Sequence, residues 1–316
     1  MSANIYAGII ERYKRYGWTE PPGEWGYINA DERQPYRDIL EAGDEPALER
    51  LLGSMFRQSV IHGIISVNPA SRRSPTFEDD LADATLDNLA FWASYTDGNK
   101  IDLARLRAPP HGKPWVTEVF DGSLIMTDTP RHDHYAQRIA KLLPDGGTVL
   151  EIGGGYGGMA LQLLRARDNV QVVLCDLPET LYLAWWWLAN AIDRTIAWYD
   201  DDPSADVVLL PAHEKEGWYR ADVVFAAHSL SEMTLPVVEQ YMAWWPKLCP
   251  RFYYIDQVQM MVRPSAGRVA SRDRWPEVLT EQMVPGMPYR ETFRAPTQWV
   301  MGAGRYWEHI YEREDV

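Results

Sequence analysis

Five glycines and Tyr156 fill the six positions from Gly153 to Gly158. They follow the apolar run Thr148-Val149-Leu150-Glu151-Ile152 and precede Met159-Ala160-Leu161-Gln162-Leu163-Leu164, whose pattern suits a helix. Glycine lets the backbone adopt positive φ and lets a ligand lie directly on the main chain. Placed before a helix, the same loop turns free N–H groups toward whatever binds there. Gly153, Gly154, Gly155 and Tyr156 therefore read as the cradle of a nucleotide-type cofactor. Two carboxylates flank it: Glu151 near the end of the first apolar run, and Asp176 closing a second, Val172-Val173-Leu174-Cys175. The spacing Gly153-x-Gly155-x-x-Gly158 with Asp176 also meets the dinucleotide fingerprint. Glu151 weighs the other way, because a carboxylate there repels a pyrophosphate and suits a cationic group such as an amine. Asp176 is placed to take ribose hydroxyls.

Two later apolar runs end in further polar residues. Val207–Leu210 leads into Pro211-Ala212-His213-Glu214, and Val223–Ala227 into His228-Ser229-Leu230-Ser231-Glu232-Met233. Upstream, Asp128-Thr129-Pro130-Arg131-His132-Asp133-His134-Tyr135-Ala136 concentrates titratable side chains just before the first strand. An imidazole within reach of a hydroxyl can take its proton. His228 is the leading candidate, with Glu232 or Asp133 to orient it; His132 and His134 are rival bases.

These residues need a frame to hold them. Residues 1 to about 110 predict helices, among them a stripe over Asp79–Trp92 behind acidic residues suited to a helix start. Trp115–Phe120 and Leu124–Met126 around Asp121-Gly122 predict a hairpin. From Asp133 onward helices and strands alternate: a helix over 133–143, strands at 148–152, 171–175, 206–210, 222–227 and 251–258, and helices from 156 and over 179–193. That alternation specifies an α/β fold with a doubly wound parallel sheet, whose ligands bind at the carboxyl ends of the strands. Candidate strands at 297–302 and 305–311 end the chain. The expected division is a helical lid and dimerisation region with the hairpin over 1–127, and a Rossmann-like catalytic domain over 128–316. In the run Trp185-Trp186-Trp187, Trp185 falls at core spacing with Leu181, Ala184 and Leu188.

Glu-x-Gly-x-Gly-x-Gly at 151–157 with strand-terminal Asp176 resembles motifs I and II of the class I S-adenosylmethionine methyltransferases. With Asp-Leu-Pro-Glu-Thr-Leu-Tyr-Leu (176–183), Ser-Leu-Ser-Glu-Met (229–233) and the arginine- and tyrosine-bearing segment 128–136, roughly residues 112–260 are similar to a family of sugar O-methyltransferases. The resemblance implies S-adenosyl-L-methionine as cofactor and S-adenosyl-L-homocysteine as product. It implies cofactor contacts from Glu151, Gly153, Gly154, Gly155, Tyr156, Asp176, Leu177 and His228, with Ala212 and His213 beside the adenine. It places His228, Glu232 and His132 at the reacting atoms, and Arg131, His134, Tyr135 and Glu232 around a small-molecule acceptor, a sugar hydroxyl in natural-product or glycan biosynthesis. The family commonly carries Asn where this chain has His228.

Two other readings use the same residues. Glu232 and Glu239 could clamp a guanidinium for N-methylation, as paired carboxylates do. A cofactor-binding protein without catalysis is a further class.

Composition narrows the partners. The 316-residue chain is 46% hydrophobic and 24% charged, and its 31 basic against 45 acidic residues give a net charge of −14. That balance argues against nucleic-acid and anionic-membrane partners, whose binding runs on phosphate neutralisation. Cys175 and Cys249 are too few for a disulfide framework, and no signal peptide is visible, so a cytoplasmic homodimer is expected. No metal-ligand spacing is diagnostic, and no metal site is assigned.

Overall fold

The computed structural model describes residues 4–22, 24–67, 74–96, 102–218, 220–257, 260–261, 277–278, 289–297, 299 and 306–314. The N-terminal third is helical: α1 (Ile5–Tyr16), the short α2 (Glu24–Tyr27), α3 (Gln34–Ala42), α4 (Glu45–Leu52) and α5 (Phe77–Tyr95). Asn4 and Asp44 cap α1 and α4 by accepting from the N–H groups of Tyr6 and Ala47, as short polar N-caps do. The hairpin is only two residues a side, β1 (Thr117–Glu118) against β2 (Leu124–Ile125), antiparallel.

The sheet strands are β3 (Thr148–Ile152), β4 (Gln171–Asp176), β5 (Ile196–Trp198), β6 (Val207–Pro211), β7 (Val223–Ala227), β8 (Arg251–Gln257), β11 (Tyr289–Pro296) and β12 (Tyr306–Arg313). Their order is β11-β12-β8-β7-β3-β4-β6-β5. From β8 to β5 every pairing is parallel, whereas β12 runs antiparallel to both β8 and β11. A separate pair, β9 (Met260–Met261) and β10 (Glu277–Val278), is antiparallel. Around the sheet lie α6 (Thr129–Leu142), α7 (Gly158–Ala166), α8 (Pro178–Ala191) and α9 (Leu235–Trp244). The central strands are mostly apolar because helices cover both faces, and the chain order reverses between β3 and β7, where such folds open a crevice.

Several sequence-based expectations shift. Helix α6 starts at Thr129 with Pro130 in its first turn, so Arg131 and His132 ride on the helix rather than leading into it. Pro fits there because its missing N–H has no helical partner in any case. Strand β5 was not anticipated. The last strand, 306–313, falls where 305–311 was expected, but its hairpin partner runs over 289–296 and not 297–302: Thr297 and Trp299 lie beyond that strand. Residues 298 and 300–305 fall outside the described residues.

Helix α8 is buried almost all round, since the sheet lies on one side and α1 on the other. Tyr182 donates to the carbonyl oxygen of Gly17 at 3.0 Å. Within the tryptophan run Trp186 and Trp187 are the buried pair, while the half-buried Trp185 packs against Gly8 of α1. One continuous hydrophobic cluster runs from Ile9, Tyr36 and Leu48 to Val149, Leu174 and Leu209 of the sheet. None of the helices among the described residues is long and apolar enough to cross a membrane.

Candidate cofactor and acceptor site

The carboxyl ends of β3, β4, β6 and β7 open onto one cavity of about 370 Å³, within the usual range for small-molecule pockets. Close backbone approach shapes the glycine loop. Gly153 has φ +75°, and a Cβ on it would lie 2.4 Å from that of Ser229. Ser229 Oγ in turn donates to the Ile152 carbonyl at 2.8 Å, which clamps the loop after β7 onto the loop after β3. Gly155 has φ +56°, and a Cβ there would lie 2.8 Å from Ile64 Cγ2.

The two strand-end acids differ in how they are satisfied. Asp176 Oδ2 accepts the Gly155 N–H at 2.8 Å, and its Oδ1 accepts the Leu177 N–H at 2.7 Å. Burial nevertheless pushes its pKa up to about 7. Glu151 is buried, and its Oε2 makes no hydrogen bond among the described residues. Burial, and then the neighbouring charge of Asp176, raise its carboxyl well above the usual range. A buried polar atom left unpaired costs about 1–3 kcal/mol, a cost that a ligand donor placed beside Glu151 would remove.

Ala212 and His213, in the turn after β6, line the opposite rim of the cavity. At its other end, α6 contributes Arg131, His132 and Tyr135, and the loop after β7 contributes His228 and Glu232. His228 adopts φ +58° and donates its backbone N–H to the Ile255 carbonyl at 2.9 Å. A left-handed conformation is uncommon outside glycine and is held only by surrounding structure. Its Nε2 lies 3.1 Å from Tyr135 Oη. Burial, then the charge of Arg131 and the neighbouring His132, lower the His228 pKa well below the ordinary imidazole value. Burial and Arg131 likewise push His132 down to about 4. Both imidazoles are therefore neutral at physiological pH. Arg131 donates from Nη2 to Asp128 at 3.0 Å, while its buried Nε has no partner among the described residues.

Three expected roles are not met by the geometry. Asp133 does not orient His228: it is buried on the far side of α6, where it accepts from Trp92 Nε1 at 2.8 Å and from Arg105 at 2.6 Å. His134 does not line the cavity; its Nε2 lies 3.3 Å from Glu308 of β12. Glu239 is exposed on α9 and lies outside the cavity. Successive residues from 131 to 134 advance about 100° around the helix, so all four cannot face one pocket. Glu232 does line it, with Oε2 accepting the Trp25 indole N–H at 2.9 Å.

The N-terminal region supplies residues that local sequence patterns did not single out. Thr19, Pro22, Trp25 and Ser66 line the cavity. Ser66 donates its N–H to Asp128 at 2.9 Å. Thr19 donates its hydroxyl to buried Glu179 at 2.7 Å. Arg33, fully buried, donates from Nη1 to Thr180 at 3.1 Å, and its guanidinium lies 4.9 Å from the Trp25 ring centroid. Among the described residues no group of three or more His, Cys, Asp or Glu is placed to hold a metal ion.

No family model and no curated protein matches the chain, so the resemblance to sugar O-methyltransferases rests on the motif residues. Among solved structures, the chain is similar to an S-adenosylmethionine-dependent methyltransferase from Aquifex aeolicus, 18% identical, covering 56% of this chain and 88% of that one with a TM-score of 0.36. It is similar to an O-methyltransferase family protein from Burkholderia thailandensis, 15% identical over 59% of this chain and 57% of that one, TM-score 0.38. A third is the glycopeptide N-methyltransferase MtfA, 14% identical over 58% of this chain and 90% of that one, TM-score 0.40.

Proposed function

We propose that the chain is an S-adenosylmethionine-dependent methyltransferase acting on a small hydroxyl-bearing acceptor, a sugar hydroxyl of a natural product or glycan first among them. The observation that carries this reading is Glu151, which lines the cavity beneath the glycine loop and whose Oε2 makes no hydrogen bond among the described residues. It suits the ammonium of a methionine-derived tail, and it would oppose the pyrophosphate of a dinucleotide. Asp176 remains available to ribose hydroxyls from a fixed position, because two backbone N–H groups already hold its carboxylate. The loop main chain from Gly153 to Tyr156, with Leu177, Ala212 and His213, would complete the cofactor contacts. Bound there, S-adenosylmethionine supplies an electrophilic sulfonium methyl and leaves as S-adenosylhomocysteine, the S–C bonding pair remaining on sulfur.

In-line displacement of this kind depends chiefly on alignment. The acceptor end is lined by neutral His132 and His228, by Tyr135 and by Arg131. A buried guanidinium there disfavours a cationic acceptor. With Glu239 exposed on α9, the carboxylate clamp for a guanidine lacks its second member. Both observations favour a hydroxyl over an arginine-like nitrogen.

The test begins with calorimetric titration of the protein with S-adenosylhomocysteine and, separately, NADH. Transfer of labelled methyl from S-adenosylmethionine to a panel of methyl glycosides, with free arginine as control, follows. S-adenosylhomocysteine binding and glycoside methylation are expected. Binding of NADH alone, or methylation of arginine without any glycoside, would overturn the assignment.

A further inference from the structure

We infer that His228 serves the reaction as a hydrogen-bond donor, its Nε2 capped by Tyr135, and not as the general base. This deepens the methyltransferase reading and rests on it.

The Tyr135 proton sets the tautomer of His228. Tyr135 is 1% exposed, and among the described residues its hydroxyl has one hydrogen-bond partner, Nε2 of His228 at 3.1 Å. Around the rest of its ring stand Phe225, Tyr253 and Trp299, none of which accepts a conventional hydrogen bond at its ring face or edge, and His134, which makes no hydrogen bond to the Tyr135 hydroxyl and whose Nε2 is engaged with Glu308. A phenol so enclosed directs its O–H at the one acceptor available, since a buried donor left unpaired is costly. Nε2 is then occupied as an acceptor, and a neutral imidazole carries its hydrogen on the other nitrogen. Burial raises the Tyr135 pKa and lowers that of His228, so this phenol stays protonated and this ring stays neutral.

Nδ1 makes no hydrogen bond among the described residues, yet it is not one of the sealed, unpartnered atoms of the interior. His228 lines the cavity, so Nδ1–H is the group it offers there. The ring cannot easily turn over. Its backbone is held at φ +58° by the bond to Ile255, and Tyr306 packs against it with centroids 4.6 Å apart. No proton moves at His228 on this reading: the oxygen lone pair forms the new C–O bond, the S–C pair stays on sulfur, and the hydroxyl proton of the acceptor leaves to water in the cavity. Its N–H takes a lone pair of the acceptor oxygen and fixes the direction of the other toward the methyl group, the alignment on which such a displacement depends.

The tautomer can be read directly by two-bond 1H–15N correlation of protein labelled at histidine nitrogen, with and without S-adenosylhomocysteine. The expected state is Nδ1–H; an Nε2–H ring overturns the proposal without any variant being made. Turnover is then followed on the glycoside that performs best in the panel above. His228→Ala is expected to lower kcat about ten- to hundredfold, the worth of the alignment that its hydrogen bond gives the acceptor. His228→Asn keeps an N–H donor without a base of useful strength, and is expected to recover about tenfold of that loss. Tyr135→Phe removes only the hydroxyl. It should mix the tautomers and lower kcat several-fold, with the affinity for S-adenosylhomocysteine and the melting temperature little changed. His228→Asn as inactive as His228→Ala, or Tyr135→Phe leaving tautomer and kcat untouched, would sink the donor role while leaving the methyltransferase assignment in place. A protein showing the Nδ1–H ring but methylating no member of the panel would instead refute the assignment.

Discussion

Trp25 donates its indole N–H to Glu232 across 2.9 Å, joining the N-terminal segment to the loop that follows β7. The bond spans the cavity wall, since both residues line it. Trp25→Phe keeps the ring and its packing on Arg33 but removes the donor. A hydrogen bond to a charged group contributes about 1.5–3 kcal/mol. We expect S-adenosylhomocysteine to dissociate at least several-fold faster from this variant, as read by stopped-flow fluorescence. An unchanged dissociation rate would show that the contact does not restrain the wall.

Glu151 ties cofactor affinity to pH. Burial and Asp176 hold its carboxyl well above the ordinary value in the free protein, whereas a bound ammonium would pull it down. Between those two values the free protein carries a proton that the complex lacks. Binding therefore releases a proton, and affinity rises with pH. Titrations in buffers of different ionisation enthalpy should detect that release. Glu151→Gln should abolish it and weaken binding about tenfold or more. Proton release surviving in the variant would place its source elsewhere.

Asp176 makes the opposite contribution to the stability of the free protein. Burial raises its folded pKa from 3.8 to about 7, so the folded state keeps a proton that the unfolded chain has already lost. Stability from this group is at its greatest below the unfolded value and declines as pH rises through the window up to the folded one. Asp176→Asn should therefore raise the melting temperature at about pH 8 more than at about pH 4, while impairing cofactor binding. Equal shifts at both pH values would refute the linkage.

Gly153 leaves no room for a side chain. Its φ of +75° and the 2.4 Å approach to Ser229 Cβ mean that Gly153→Ala must move the loop or the residue after β7. Strain of this kind costs about 1–3 kcal/mol. A lower denaturation midpoint together with loss of S-adenosylhomocysteine binding is expected. Wild-type affinity in the variant would mean that the loop tolerates displacement.

Much of this site is local and so was legible in the residues alone. A strand that ends in an acid and breaks into glycines announces itself by composition, and Glu151, Gly153, Gly155 and Asp176 sit on consecutive strand ends that the alternating pattern already orders. His228 was readable for the same reason, because the apolar run Val223–Ala227 stops just before it. The segment 128–136 was harder. Its residues are adjacent in sequence but fan out around α6, so Arg131, His132 and Tyr135 reach the cavity while Asp133 and His134 do not. Glu239 failed on the same ground, since the face a helix presents depends on packing that spacing around a proline does not specify. Thr19, Trp25, Arg33 and Ser66 left no trace in any motif. What gives each its place is a partner far along the chain, and local periodicity carries no information about such a partner.

That separation orders the birth of the molecule. Asn29 meets Glu179 across 150 positions, Arg33 meets Thr180 across 147, and Trp25 meets Glu232 across 207. During synthesis the first helices emerge long before the strands that complete them, and contacts of such range form late. A buried guanidinium such as Arg33 has no place to go until α8 has arrived. A nascent chain stalled before residue 178 should thus expose its first sixty residues to protease, and one released after β7 should protect them. This wall of the cavity cannot form until the residues after β7 have been made, and cofactor binding during translation has to wait for it.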